Sequence, residues 1–423
     1  MSVTRRRILK ALAAAGAGGL LPIAGLSGLV FAADRAVPRP LLLVLHLRGG
    51  CDGLNLISPA TDGDFIAARA AELRVSADGA EAGFALSNGP DVHTDFRLHA
   101  SAHGLAELYK EGHLAFIHAA GLTNATRSHF VATDMIEHGV ASETDLARTP
   151  SGWLARAIGS NGATTASGIR AIAASSAIGG DLAGLDNVIA VPDLAGGLAP
   201  PGGPKFGAAL QQLYATAPGE AAQAGRKALQ LMADLDRQLP RDAQGHVVAY
   251  QPQDTAKYDA AADFARPLKV VAQLIKMELG LEAATLDLAN WDTHEGQAGR
   301  FRSLTGRLSN GLTAFWDDMM PFHDRMTLVV ITEFGRRLRS NKSGGTDHGR
   351  AGVMAVLGGR VKGGRFYGAW PGLKTANLDE GVDLAVATDY RRVLTEVLDN
   401  RQRSKGSRWF PGYDYPGPLG LFG

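Results

Sequence analysis

The stretch Leu41-Leu42-Leu43-Val44-Leu45-His46-Leu47 decides the fold, because only one of its seven side chains is polar. A continuous apolar run of this length is typical of a strand that is buried on both faces, as in parallel sheets. The run stops at Arg48-Gly49-Gly50-Cys51-Asp52-Gly53. Paired glycines suit a tight turn at the end of such a strand.

Five further apolar stretches predict strands, and helical patterns lie between them. The predicted strands cover residues 114–118, 188–191, 285–289, 327–332 and 352–357. Apolar residues recur at three- and four-residue spacing over residues 267–279 and 298–319, which predicts amphipathic helices. Strands that alternate with such helices indicate an α/β fold with a doubly wound, mostly parallel sheet and helices on both faces.

The first 33 residues predict a twin-arginine signal peptide. Arg5-Arg6 is followed by Ile8-Leu9-Lys10, an uncharged run over residues 11–30 and the small residues Ala32-Ala33. A charged start, an apolar run and a small-residue cleavage site are typical of an export leader. The sequence therefore predicts export by the twin-arginine machinery to the periplasm or the extracellular space, with membrane contact only through the leader before cleavage.

Residues 34–423 are predicted to form one α/β domain. Residues 196–254 begin rich in glycine and proline and then become polar and helical, which predicts a helical insertion at about this position. The net charge is +1, so the composition argues against a nucleic-acid partner. Cys51 is the single cysteine, so an intramolecular disulfide is excluded.

Carboxylate and imidazole side chains are concentrated where the predicted strands end and in the glycine-rich loop over residues 344–349, just before the last of them. The carboxyl ends of parallel strands meet at one edge of the sheet, where ligands bind in open α/β folds. Carboxylates and imidazoles are the ligands of divalent ions such as zinc, manganese or calcium. The predicted metal ligands are Asp52, Asp292, His294, Glu333, Asp347 and His348.

Thr126-Arg127-Ser128-His129 follows the second predicted strand and precedes a predicted helix over residues 130–138. A hydroxyl at a helix N-terminus lies at the positive end of the helix dipole, which favours an anion. Ser128 is therefore the candidate nucleophile, Thr126 is its competitor, and Arg127 is the candidate clamp for the anion. A structural alternative remains open, in which Ser128 only caps the helix.

The motifs resemble a large uncharacterised bacterial family, the domain of unknown function numbered 1501. The resemblance rests on residues 47–55, Arg127-Ser128-His129-Phe130, Trp291-Asp292-Thr293-His294, Thr332-Glu333-Phe334-Gly335-Arg336 and Gly345-Thr346-Asp347-His348-Gly349. That family is similar to the alkaline phosphatase and sulfatase superfamily. The resemblance implies an alkaline-phosphatase-like core, a divalent metal and a hydroxyl nucleophile.

The resemblance implies two different functions. The first is an exported metal-dependent hydrolase of phosphate or sulfate esters, whose substrate is a small molecule or a polymer. The alternative is a non-catalytic exported binding or assembly protein on the same fold, which is favoured by Phe334, since this residue stands where the superfamily has a ligand histidine.

Overall fold

The computed structural model describes residues 39–79, 82–86, 94–160, 168–200, 202–402 and 409–423. The predicted signal peptide lies outside these residues. Contacts group Arg39–Gly423 into one compact unit. Among the described residues, no helix is both long enough and apolar enough to cross a membrane.

Fourteen strands form one large sheet and two small ones within the described residues. In chain order they are β1 Leu41–Leu47, β2 Ile57–Pro59, β3 Phe84–Ala85, β4 Phe96–Leu98, β5 Leu114–Gly121, β6 Ala171–Ala173, β7 Val188–Ala190, β8 Ala283–Leu288, β9 Met326–Ile331, β10 Arg336–Ser340, β11 Thr346–His348, β12 Gly352–Gly358, β13 Phe366–Tyr367 and β14 Thr388–Asp389. The six predicted strands are confirmed as β1, β5, β7, β8, β9 and β12.

The large sheet has the order β13-β5-β12-β9-β1-β8-β6-β7, and β14 also pairs with β5. Strand β1 lies between β9 and β8 and is parallel to both. Strand β12 is antiparallel to both of its neighbours, β5 and β9. The sheet is therefore mostly parallel, as the apolar runs predict, with one reversed strand inside it.

The helices cover both faces of this sheet. They are α1 Gly53–Leu56, α2 Gly63–Ala68, α3 His103–Lys110, α4 His129–His138, α5 Glu143–Arg148, α6 Trp153–Gly159, α7 Gly203–Thr216, α8 Glu220–Gln238, α9 Ala265–Lys276, α10 Gln297–Asp318 and α11 Tyr390–Gln402. The segment predicted as a helical insertion contains α7 and α8.

Strand β1 explains why two helical layers are needed, because it is buried along its whole length. Leu43 and Leu45 belong to a core that includes residues of α3, α9 and α10. Leu42 and Val44 belong to the opposite core, with residues of α4, α6 and α11. Successive side chains of a strand point to opposite faces, so an uninterrupted apolar run requires cover on both sides.

The turn after β1 approaches the turn after β8 so closely that it has no room for a side chain. Gly49 has φ +117°, and a Cβ atom there would lie 2.4 Å from the backbone nitrogen of Asp292. A side chain at this position would therefore separate the ends of two neighbouring strands.

We expect Gly49→Ala to lower the free energy of unfolding by about 2–4 kcal/mol, because it adds both a left-handed alanine and a backbone clash. Urea denaturation measures this change. Gly63→Ala is the matched control, since a Cβ atom at Gly63 meets nothing within 4 Å. Equal effects of the two substitutions would contradict the close approach.

Candidate metal centre

Side chains from two strand ends and one helix N-terminus meet at the carboxyl edge of the sheet. Asp292 follows β8, His348 ends β11, and His129 begins α4. One ligand atom from each of these residues lies within 4.8 Å of the corresponding atoms of the other two. We call this group the His129–Asp292–His348 cluster.

Asp292 lies at the middle of the cluster. Its Oδ1 atom is 3.3 Å from His348 Nε2 and 3.1 Å from His294 Nε2. Its Oδ2 atom is 3.6 Å from His129 Nε2. The carboxylate is therefore approached by the Nε2 atoms of three different imidazoles.

The Nδ1 atom of each imidazole contacts an oxygen that can only accept a hydrogen bond. His129 Nδ1 is 2.7 Å from Glu333 Oε1, and His294 Nδ1 is 3.1 Å from Asp347 Oδ1. His348 Nδ1 is 2.8 Å from the backbone carbonyl of Arg127. Each Nδ1 therefore carries the proton, and in a neutral ring each Nε2 presents its lone pair to Asp292.

These lone pairs repel one another unless a cation or a proton lies between them. His294 Nε2 and His348 Nε2 are only 2.9 Å apart. His129 Nε2 is buried and has no hydrogen-bond partner among the described residues. One aspartate and imidazole nitrogens, each held from behind by an oxygen acceptor, are typical of a zinc-type site, so the residues present fit a divalent metal ion.

Burial and hydrogen bonding set the charges of the cluster. Although burial alone would raise the pKa of Asp292, the Arg336 guanidinium holds it at about 2, with His348 and His294 contributing. Burial lowers the pKa of His348. The hydrogen bond that His129 donates to Glu333 raises the pKa of His129. Asp292 is therefore anionic at neutral pH, which suits it to bind a cation.

Arg336 holds the strand ends in this arrangement. Its guanidinium is buried and donates to Asp292 Oδ1 at 2.6 Å. It also donates to the carbonyls of Gly50 at 2.7 Å, Thr346 at 2.8 Å and Gly49 at 2.5 Å. The side chain thus joins the turn after β1, the turn after β8 and strand β11.

Two predicted ligands, Glu333 and Asp347, contact the Nδ1 atoms of His129 and His294 and lie on the far side of these imidazoles from Asp292. Glu333 is buried and also accepts from the backbone N–H of Gly49 at 2.8 Å. Burial alone would raise its pKa, but the hydrogen bond from His129 and those from backbone N–H groups hold it below its usual value. Asp347 accepts from Asn341 as well as from His294. Both carboxylates therefore position imidazoles.

The structure does not place Asp52 among these ligands, so this part of the predicted set needs correction. Asp52 is fully buried and forms an ion pair with the buried guanidinium of Arg69. Its Oδ2 also accepts from Gln297 at 2.7 Å, and its Oδ1 accepts from the backbone N–H of Asn55 at 3.2 Å. Its oxygens are thus engaged within the protein.

The prediction of Arg127 as a free anion clamp also needs correction. Its guanidinium donates to Asp383 Oδ2 at 2.5 Å and to Glu380 Oε2 at 3.0 Å. Asp383 is fully buried. Two carboxylates already neutralise this cation, and its contribution to the cluster is the carbonyl that holds His348.

The two candidate nucleophiles lie immediately before the cluster in sequence. Ser128 is exposed at the N-cap of α4, and its side chain makes no capping hydrogen bond. Thr126 Oγ1 accepts from the backbone N–H of Ser128 at 3.2 Å. The structural alternative, in which the Ser128 hydroxyl caps the helix, is therefore wrong.

Three residues have roles that the pattern of strand ends did not predict. His129 enters the cluster from a helix, although it stands inside the motif Arg127-Ser128-His129-Phe130. Phe334 packs against His129 and His348, with ring centroids 4.8 and 4.7 Å apart. Arg336 supplies the buried clamp. Phe334 thus packs against both imidazoles, which also contact each other directly, with ring centroids 4.4 Å apart.

The fold and the cluster together define an α/β protein with a candidate divalent-metal centre at the carboxyl edge of its sheet. The family described as "Protein of unknown function (DUF1501)" matches residues 205–408. This is the family that the sequence motifs resemble, and the match covers slightly less than half of the chain. The matched residues include Asp292 and His348 but not His129.

Two solved structures have weak similarity to the chain. The C-terminal periplasmic domain of EcEptC from Escherichia coli, in complex with zinc, is 8% identical with a TM-score of 0.34, and the alignment covers 76% of this chain and 74% of that chain. Ps i-CgsB in complex with k-i-k-neocarrahexaose is 9% identical with a TM-score of 0.35, covering 88% and 76%. Neither likeness is close enough to carry an argument. No curated protein matches the chain.

We expect Asp52→Asn to destabilise the protein by about 3–5 kcal/mol without changing its metal content, because it leaves the buried Arg69 charge uncompensated. Urea denaturation and elemental analysis measure the two effects. Asp95→Asn is the control, since Asp95 pairs with Arg97 near the surface and should contribute about 0–1 kcal/mol. Loss of metal from folded Asp52→Asn protein would restore Asp52 as a ligand.

Proposed function

We propose that this protein is a divalent-metal-dependent hydrolase of phosphate or sulfate esters. The observation that carries the proposal is the convergence of imidazole Nε2 atoms on the ionised carboxylate of Asp292. The cluster also remains open to solvent, because the Asp292 side chain is 46% exposed. A site that is both anionic and accessible supports a role in chemistry rather than in folding alone.

His129, Asp292 and His348 would hold the ion, with His294 as the adjacent fourth candidate. When bound, the ion would polarise an ester oxygen and lower the pKa of a nearby hydroxyl or water. Zinc and manganese suit this mixed set of nitrogen and oxygen ligands better than calcium does, since calcium prefers oxygen alone.

The chain's own residues keep the ligands oriented. Glu333, Asp347 and the Arg127 carbonyl fix the proton on Nδ1 of each imidazole, so that Nε2 is free. Outer hydrogen bonds of this kind typically contribute a factor of 10–100 in metal affinity. Arg336 keeps Asp292 ionised and prevents it from rotating away.

Ser128 is the proposed nucleophile. It precedes the ligand His129 directly and stands at the positive end of the dipole of α4, which favours an approaching anion. Its hydroxyl oxygen would bond to phosphorus or sulfur while the ester alcohol leaves, and water would then release phosphate or sulfate. Thr126 remains the competing hydroxyl.

We also propose that the protein acts in the periplasm or outside the cell. The support is the pattern of paired arginines, apolar run and small residues in the first 33 residues. Export through the twin-arginine route carries folded proteins, so the metal would enter the cluster before export.

We expect the purified protein to contain about one equivalent of divalent metal by elemental analysis. Asp292→Asn, His129→Gln and His348→Gln should each lose it, and Glu333→Gln should weaken binding by about 10–100-fold. His246→Gln is the control, since that histidine is exposed on a loop outside the cluster. Folded protein with no metal, purified without chelator, would contradict the proposed centre.

We expect the metal-loaded protein to hydrolyse an aryl phosphate or an aryl sulfate. Ser128→Ala should abolish turnover at unchanged metal content, because it removes only the attacking oxygen. Thr126→Val is the matched variant and should retain activity. If Thr126→Val loses activity and Ser128→Ala keeps it, Thr126 is the nucleophile and Ser128 is not.

The second candidate function is a non-catalytic binding or assembly protein. The observation that favours it is the pairing of Arg127 with Glu380 and Asp383, which engages that guanidinium within the protein instead of with an anion. Stoichiometric metal together with no hydrolysis of either ester would support this function over the hydrolase.

A further inference from the structure

The candidate metal centre needs a further cation if it is to bind an anionic ester. Three carboxylates lie in or beside it, namely those of Asp292, Glu333 and Asp347, and Arg336 donates to the first of them. With neutral imidazoles, a divalent ion and Arg336 together would only balance these three negative charges. A phosphate or sulfate group would therefore be attracted by a positive charge from elsewhere in the protein.

Two arginines near the centre are already engaged within the protein. The guanidinium of Arg127 is held by two carboxylates, as described above. Arg350 pairs with Asp379 at 2.6 Å and donates to the backbone carbonyl of Thr123 at 2.9 Å. Neither arginine can turn toward a substrate without giving up contacts that the fold uses.

Arg337 differs from both, because its guanidinium forms no hydrogen bond with the described residues. The carboxylate that lies nearest is that of Asp383, whose Oδ1 atom is 3.8 Å from Arg337 Nε, beyond hydrogen-bonding distance. Asp383 already accepts from Arg127 at 2.5 Å. The Nε atom of Arg337 is shielded from solvent, whereas 41% of the whole side chain is exposed. The rest of the guanidinium is therefore available to a ligand.

The pairing of β10 with β11 places Arg337 beside the centre. Arg336 is the register partner of His348, and Arg337 is the next residue of β10. Asp347 directly precedes His348 on β11. The hydrogen bond from Asn341 is the main cause that lowers the pKa of Asp347, and the positive charge of Arg337 contributes to the same effect. The guanidinium is thus near enough to stabilise a negative charge at the edge of the centre.

The backbone that carries Arg337 is fixed from below by Arg69. The guanidinium of Arg69 donates to the carbonyls of Arg337 and Leu338, both at 2.9 Å. Arg69 is itself held by its buried ion pair with Asp52. A group that projects from a fixed backbone loses less conformational freedom when it binds a ligand. The buried ion pair therefore helps to hold Arg337 at the edge of the centre.

We propose that Arg337 is the residue that binds the anionic group of the substrate at the metal centre. Its planar fork of N–H groups suits two oxygens of a phosphate or sulfate group. This inference rests on the proposed function, and it assigns to Arg337 the role that the sequence predicts for Arg127. Arg337 binds and orients the substrate and takes no part in making or breaking bonds.

The test is isothermal titration calorimetry of the full-length protein, purified without chelator, with inorganic phosphate. We expect saturable binding with a Kd of about 1 mM. Arg337→Gln should weaken it about tenfold or more, since a hydrogen bond to a charged group contributes about this factor. Arg337→Lys keeps the charge but loses the fork, so its affinity should be intermediate. Inorganic sulfate, titrated in parallel, shows which of the two ester classes the site prefers.

Arg339→Gln is the matched control. Arg339 is an exposed arginine two positions further along the same strand, and residues so spaced share a face and lie about 7 Å apart. This variant should bind phosphate as the unaltered protein does, which separates a direct contact from a general loss of positive charge. Arg337→Gln should unfold at the same urea concentration as the unaltered protein, because it removes no hydrogen bond between described residues.

Kinetics provide a second measurement. With an aryl phosphate as substrate, Arg337→Gln should raise KM by about the factor that it raises the Kd of phosphate and should change kcat by less than about twofold. This pattern is expected for a contact that is equally strong in the ground state and the transition state. A purely structural role would instead lower stability and leave KM unchanged.

Two results would overturn the proposal. One is the absence of saturable binding of either anion up to about ten times the expected Kd. The other is an affinity that Arg337→Gln leaves unaltered or that Arg339→Gln lowers equally. Ester hydrolysis with an unchanged KM in Arg337→Gln would refute this inference but not the proposed function. Binding that depends on Arg337 without any hydrolysis would refute the hydrolase and keep the anion site.

Discussion

The buried guanidinium of Arg336 is the interaction on which the carboxyl edge of the sheet depends. It donates to Gly49, Gly50, Thr346 and Asp292, which belong to three separate segments of the chain. Removing this charge from water costs several kcal/mol, and only the full set of acceptors together with one carboxylate offsets that cost. Because the same carboxylate is the centre of the cluster, Arg336 couples the packing of this edge to the geometry of the candidate metal site.

Close backbone approach is the second constraint on this edge, and it explains why glycines surround the cluster. A Cβ atom at Gly345 would lie 2.3 Å from the carbonyl carbon of His294, and one at Gly349 would lie 2.5 Å from that of Arg336. A Cβ atom at Gly335 would lie 1.9 Å from the carbonyl oxygen of Ala351. These glycines keep the loops tight enough for side chains from distant segments to share one site, which longer or bulkier loops would hold apart.

The sequence predicts the scaffold better than the site. Six strands and the position of Asp292 after one of them follow from apolar runs and the polar residues after them, whereas His348 ends β11, which no apolar run predicts. The antiparallel direction of β12 does not follow from the sequence. A strand that is buried on both faces shows the same continuous apolar run whether it is parallel or antiparallel to its neighbours. The ion-pair partners of Arg127 could not be predicted from the sequence either, because Asp383 lies more than 250 positions further along the chain. Pairings of this kind depend on tertiary contacts that no local pattern records.

Asp52 and Asp292 illustrate what separates a structural carboxylate from a ligand. Both follow strands of the same sheet, and both contact a buried arginine. Asp52 is fully buried, with both of its oxygens engaged by groups of the protein. Asp292 accepts from Arg336 through Oδ1 alone. Its Oδ2 atom faces the Nε2 atom of His129, which has no hydrogen-bond partner among the described residues. A metal ligand needs a lone pair that the protein has not already used, so the difference lies in the second oxygen and not in the residue type or its place after a strand.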